Sequence, residues 1–290
     1  MELTAKQKKH ILALQKEELN GHYTYQKLAD AIKDEHNAEV IRNIAKEELK
    51  HYEIWKRYTK KDVAPNKLRI NFYYWLSKLL GLTFGIKLME LGEEKAQENY
   101  ADLVDSIPEA AQILVEEEKH EDELLEMLDE ESLKYAGSVV LGLNDALVEL
   151  TGALAGLTFA FQNTHLIALA GLITGISASF SMAASEYLSS KSEEGEKSPI
   201  KSALYTGLAY ILTVAILIFP YLVATDFMIS LGWTIVNAIL VIAIFNFYIS
   251  VAKGFDFKKR FLEMSIISLG VALFSFVIGN IIRNVFGIEI

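Results

Sequence analysis

Two runs in the first half of the chain place a glutamate three residues ahead of a histidine: Glu48-Leu49-Lys50-His51 and Glu117-Glu118-Lys119-His120. On a helix, positions i and i+3 share a face, so a carboxylate and an imidazole can hold the same metal ion. One such run in an acidic helix carries little information. Two of them on separate helices, each level with a glutamate on a partner helix, give the ligand pattern of di-iron and di-manganese carboxylate bundles. Glu18 and Glu93 supply the two partners, and Glu90, one turn before Glu93, is placed to hold an additional metal. The neighbouring Glu17, Glu47, Glu94, Glu116, Glu118 and Glu121 read as a solvated acidic face. A second set lies further on, in apolar surroundings: Asp145 and Glu149, then Met182 and Glu186, each pair four residues apart on one helix face. Carboxylate oxygens with a thioether suit a divalent transition metal such as Fe(II) or Mn(II).

The elements that must position the first set are helices. Apolar residues recur at three- and four-residue spacing (Ile11, Leu14, Leu19, Tyr25, Leu28; Val40, Ile41, Ile44, Leu49, Tyr52), and strand-like alternation is absent. Breaks at Lys33–Asn37, Lys60–Lys67 and Ser106–Pro108 predict four helices, about 4–33, 37–59, 70–105 and 109–134. The first two and the last two pair as antiparallel hairpins. Glu18 lies 17 residues before a turn centred at 35, and Glu48 and His51 lie 13 and 16 after it. At about 1.5 Å per residue these three come level. Around 107, Glu93 meets Glu117 and His120 in the same way. The aromatic run 70–82 (Phe72, Tyr73, Tyr74, Trp75) is expected to pack in the core or in a dimer contact, with a membrane-surface contact as the alternative.

Charge is distributed unevenly. Residues 1–135 carry 20 Lys/Arg and 28 Asp/Glu, whereas residues 136–290 carry 8 and 10. No Asp, Glu, Lys or Arg occurs between Leu150 and Ser185, and three more apolar runs follow. About 20 apolar residues cross the hydrocarbon core, so five spans are predicted near 138–160, 166–188, 203–224, 228–251 and 264–284. Lys191, Lys197 and Lys201 mark one loop, and Lys253, Lys258, Lys259 and Arg260 another. The positive-inside rule puts both loops and residues 1–135 in the cytoplasm and the C-terminus outside. The polar start of the chain predicts no cleaved signal peptide. The architecture expected is all-α: a cytoplasmic four-helix bundle over 1–135, then a five-span membrane domain over 136–290. Gly142, Gly152, Gly156, Gly171 and Gly175 predict close helix packing there.

Gly142-Leu143-Asn144-Asp145-Ala146-Leu147-Val148-Glu149 with Gly152, and Ser181-Met182-Ala183-Ala184-Ser185-Glu186-Tyr187-Leu188-Ser189, resemble the first two spans of the vacuolar iron transporter family. The resemblance implies a dimeric, proton-coupled Fe(II) carrier with Asp145 and Met182 on the ion path. The long Glu-rich insertion of plant and yeast-like relatives is replaced here by a short loop, Ser190–Ile200. The bundle resembles the rubrerythrin-type ferritin-like family through Glu18 with Tyr25, Glu48–His51, Glu93 with Tyr100, and Glu117–His120. It departs from rubrerythrins at Ala96, where they carry a second glutamate, and in having no Cys₄ electron relay. The fusion resembles the membrane-bound ferritin-like iron exporters of prokaryotes.

Several classes are excluded or set aside. With no cysteine, the chain cannot form disulfides, iron–sulfur clusters or thiol nucleophiles. A net charge of −10 has the wrong sign for a nucleic-acid binder. A storage cage is disfavoured because every subunit would be tethered to a membrane. The leading expectation is an inner-membrane homodimer that exports iron, or manganese, by exchange for protons. Its di-iron bundle would capture, sense or oxidise the metal. The alternative is a membrane-anchored di-iron ferroxidase or peroxide-scavenging enzyme, for which Asp145, Glu149 and Met182 would have no use.

Overall fold

The computed structural model describes residues 4–97, 107–127, 134–193 and 197–286, and among these it contains helices and no strand. The helices are α1 (Ala5–Ala29), α2 (Glu35–Thr59), α3 (Lys67–Leu80), α4 (Leu82–Gln97), α5 (Pro108–Met127), α6 (Ala136–Phe161), α7 (Thr164–Ser192), α8 (Pro199–Val223), α9 (Phe227–Lys253) and α10 (Phe257–Phe286). The chain divides into two compact units, Met1–Glu130 and Glu131–Ile290.

In the first unit, local chemistry starts each helix. Thr4 and Gln7 form a reciprocal capping box at α1, and Asp34 Oδ1 accepts from Asn37 N–H at 2.8 Å to begin α2. The α1–α2 hairpin is fastened by side chains as well as by packing. Gln15 donates to Lys61 O at 2.8 Å and accepts from Thr59 Oγ1 at 2.6 Å, while His22 Nδ1 lies 2.6 Å from Ala45 O. Two apolar layers follow. One joins Ile11 and Leu14 of α1 to Trp55 of α2 and Ala110 and Ile113 of α5. The other joins Tyr25 and Leu28 of α1 to Ile41 and Ile44 of α2, Ile86 and Met89 of α4, and Leu124 of α5. The polar Glu/His positions fall between these layers along each helix, so the bundle closes above and below them.

The third helix differs from the sequence expectation of one long element over 70–105. It breaks at Gly81, whose φ of 101° and ψ of 149° lie where side chains other than hydrogen clash with the backbone. The chain therefore forms α3 and α4, joined by that single residue. α3 runs along α1, held by Asn66 N–H to Asn20 Oδ1 at 2.8 Å and by the Arg69–Glu17 ion pair. The aromatic run is likewise only partly core. Ile70 and Ser77 are buried, whereas Phe72 and Trp75 are 56% and 61% exposed.

The second unit has five helices long and apolar enough to cross a membrane, so the chain is a multi-pass membrane protein. α6 is its axis and packs against all four others. Close approach is possible because α6 lacks side chains at the crossings. Gly142 sits against the Thr206 backbone of α8, whose hydroxyl donates to Ser138 O at 2.9 Å, and Gly156 meets Gly279 of α10. Gly171 and Gly175 of α7 lie against Ile218 and Val214 of α8. Pro220 lies inside α8 and has no N–H for the carbonyl of Ile216; Asn237 of α9 supplies the donor at 3.0 Å. Thr234 Oγ1 also donates to Leu217 O, at 2.9 Å. Backbone groups in a hydrocarbon layer need internal partners, and α9 supplies them to α8.

Candidate metal centre

Helical periodicity brings Glu18, Glu48, His51 and Glu117 together from α1, α2 and α5. One ligand atom from each lies within 4.8 Å of all the others, and three of the four side chains are buried. His51 Nδ1 faces Glu117 Oε1 at 2.9 Å and Glu18 Oε2 at 3.5 Å. His120 Nδ1 faces Glu48 Oε1 at 3.6 Å and Glu117 Oε2 at 3.7 Å. The two imidazoles stack with centroids 5.8 Å apart. Glu117 thus presents one oxygen to each histidine. Glu90 of α4 is not one of the four clustered residues and pairs with Lys87 at 3.6 Å. The Glu93 side chain lies outside the described residues.

Several residues that hold this cluster were not legible as partners. Glu116 Oε2 lies 2.8 Å from His51 Nε2, and Glu47 Oε2 lies 2.6 Å from His120 Nε2. Each glutamate that precedes one Glu-x-x-His run therefore anchors the histidine of the other run. The expectation that Glu47 and Glu116 belong to a solvated face is corrected by these contacts; exposed Glu118 fits it. The available signal was the repeated Glu-Glu-x-x-His. Trp55, one turn after His51, donates to Glu18 Oε1 at 3.0 Å. Gly21 leaves the space that Glu48 fills: a Cβ there would stand 2.7 Å from Glu48 Oε2.

The residues fit a metal pair. Both Nδ1 atoms are buried without a well-directed hydrogen bond while carboxylate oxygens surround them. Each Nε2 is held by an outer carboxylate, which fixes ring orientation and raises the basicity of the inner nitrogen. Without metal the cluster stores its charge as ion pairs. Burial alone would lower the His51 imidazolium, but hydrogen bonds and charge from Glu117 and Glu18 outweigh it and hold the group up at about 11. His120 is raised in the same sense by Glu117 and Glu47 against burial. For Glu117, burial is outweighed by both histidines and the carboxyl falls to about 2. Burial dominates at Glu18 and raises it.

The membrane unit holds the second set. Asp145 and Glu149 lie one turn apart on α6. Glu149 Oε2 accepts from Tyr210 of α8 at 2.9 Å, yet Glu149 itself is exposed on the unit's surface. Met182 of α7 packs partly buried against the core. Glu186 Oε1 accepts from Ser138 Oγ at 2.6 Å at the start of α6 and from Ser190 Oγ at 3.4 Å. Tyr210, fully buried in mid-span, was missed by sequence reasoning. These carboxylates join α6, α7 and α8 pairwise and do not form a single cluster.

Residues 136–196 match the VIT family model. The matched segment spans α6 and α7 and contains Asp145, Glu149, Met182 and Glu186. With five membrane-capable helices, the VIT match implies a membrane metal transporter for iron or manganese. No curated protein and no solved structure matches the chain.

Proposed function

We propose that the protein is an Fe(II) or Mn(II) export carrier of the inner cell membrane. In this reading its first unit is a ferritin-like, rubrerythrin-type two-metal domain on the cytoplasmic side and its C-terminus lies outside. The observation that carries the reading is the division of Glu117 between His51 and His120, in one chain with a VIT segment. Glu18, Glu48, His51, Glu117 and His120, with Glu93, would hold two ions, with Glu48 and Glu117 placed between the histidines. Bound there, such a pair would supply one-electron redox chemistry. The chain's own residues bind, orient and shield: Trp55 fixes Glu18, Glu47 and Glu116 fix the rings, and the two apolar layers exclude water.

In the membrane, Asp145, Glu149, Met182 and Glu186 form the transport path. A carboxylate that binds a divalent ion at partial burial also binds protons competitively, which gives metal–proton antiport a physical basis. Exposure of Glu149 on an otherwise apolar unit supports a homodimer, because a second copy covering that face removes a carboxylate from lipid. Asp145 and Glu149 also favour a carrier over a membrane-anchored ferroxidase or peroxide-scavenging enzyme, since an anchor gains nothing from carboxylates within a span.

The test is flux in proteoliposomes carrying the full chain, with Fe(II), Mn(II), Co(II) and Zn(II) supplied in turn and pH recorded on both sides. Fe(II) or Mn(II) should move, with acidification of the compartment the metal leaves. Flux without any proton movement would remove the antiport, and no flux of either metal would remove the carrier.

A further inference from the structure

α3 presents a continuous apolar stripe that nothing in its own unit covers. Leu68, Phe72, Trp75 and Leu79 are 84%, 56%, 61% and 81% exposed. Their spacing of four, three and four keeps them within a narrow arc of the helix, opposite the buried Ile70 and Ser77. The stripe was therefore not assembled from stray surface residues; it is the outer face of an element whose inner face is already packed.

Charge identifies the occupant. The first unit is acidic, with 20 basic against 28 acidic residues over 1–135. Residues 60–80 reverse that sign: Lys60, Lys61, Lys67, Arg69 and Lys78 stand against Asp62 alone. Arg69 is committed to Glu17 and Asp62 to Lys56. Among the described residues the other four lysines form no ion pair; Lys67 and Lys78 lie along one flank of the stripe, and Lys78 lies over the Trp75 ring at 5.3 Å. A second α3 would oppose lysine to lysine, whereas an anionic bilayer complements both the cations and the apolar face. The bilayer is also within reach. Only eight residues separate Met127, at the end of α5, from Ala136, the first residue of a membrane-capable helix, a tether of at most about 30 Å.

We propose that α3 is an interfacial helix, docking its Leu68–Phe72–Trp75–Leu79 face on the anionic surface of the bilayer that the same chain spans. The broken third helix then has a purpose, since Gly81 frees α3 from the direction of α4. The docked face would set the orientation of the metal-binding unit at the membrane.

The absence of cysteine makes the test direct. Full-length protein carrying Phe72→Cys, Leu79→Cys or, as an exposed control on α2, Glu53→Cys is spin-labelled and placed in nanodiscs. In discs rich in phosphatidylglycerol, labels at 72 and 79 should be open to oxygen and closed to a water-soluble nickel chelate, and the label at 53 should show the reverse. Lys67→Gln with Lys78→Gln should reduce the docked-to-undocked ratio roughly thirtyfold, taking about 1 kcal/mol of surface attraction for each lysine lost. Labels at 72 and 79 as open to the chelate as the one at 53 would overturn the proposal. So would spin–spin broadening between copies at position 72, which assigns the face to a second chain, or docking undiminished in the double variant.

Discussion

Glu117 faces two histidines, and neither histidine depends on it alone, because Glu116 and Glu47 hold the far nitrogens. That division of labour separates ligands from positioning residues. Glu116→Ala or Glu47→Ala should weaken metal binding by about 10–100-fold, the usual cost of losing an outer partner, while Glu118→Ala at an exposed position should leave it unchanged; isothermal titration with Mn(II) reads both. The metal-free protein should also show a defined pH window. His51 is raised from 6.5 to about 11, so its contribution is full below pH 6.5 and is lost as pH rises through 11. Glu117 is lowered from 4.5 to about 2, so its contribution is full above pH 4.5 and is lost as pH falls through 2. Thermal melts of metal-free protein should therefore lose stability from these groups on both sides of pH 4.5–6.5, and bound metal should flatten the alkaline side. Glu18, Glu48, His51, Glu117 and His120 were legible because i, i+3 spacing and equal height along a hairpin are properties of sequence. The roles of Glu47, Glu116 and Trp55 were not, because each contact depends on which helix faces which.

At the level of elements, α8 and α9 offer the cleanest energetic test. Pro220 denies Ile216 O its helical donor and Asn237 replaces it. Asn237→Leu should cost about 1–3 kcal/mol, the penalty for an unsatisfied buried carbonyl. In a Pro220→Ala background, where the N–H is restored, the same change should cost distinctly less. A double-mutant cycle on denaturation in detergent measures the coupling, and strict additivity would show that the two sites are independent. The five spans were legible from apolar length, the first two despite Asp145, Glu149 and Glu186. The division of the third bundle helix was not: Leu-Gly-Leu within an apolar run continues a helical pattern, and only the φ of Gly81 ends it. The aromatic run is only partly core for a related reason. A stripe at helical spacing reads as core, and whether anything packs on it depends on the tertiary structure.

For the whole molecule, the proposed function places metal capture and transport in one chain, and the first two spans decide it. Asp145 and Glu149 stand one turn apart on the helix that forms the axis of the membrane unit, inside the VIT segment. A span that served only as an anchor would tolerate removal of Asp145, whereas Glu149 also receives the Tyr210 hydrogen bond that joins α6 to α8. The deciding measurement is Fe(II) flux through Asp145→Ala in proteoliposomes, with metal content of the first unit determined on the same preparation. Flux should be abolished while the bundle retains its metal. Wild-type flux through Asp145→Ala would contradict the transport path through the first two spans, and absence of Fe(II) and Mn(II) flux in the wild-type chain would leave it a membrane-anchored metal-binding protein.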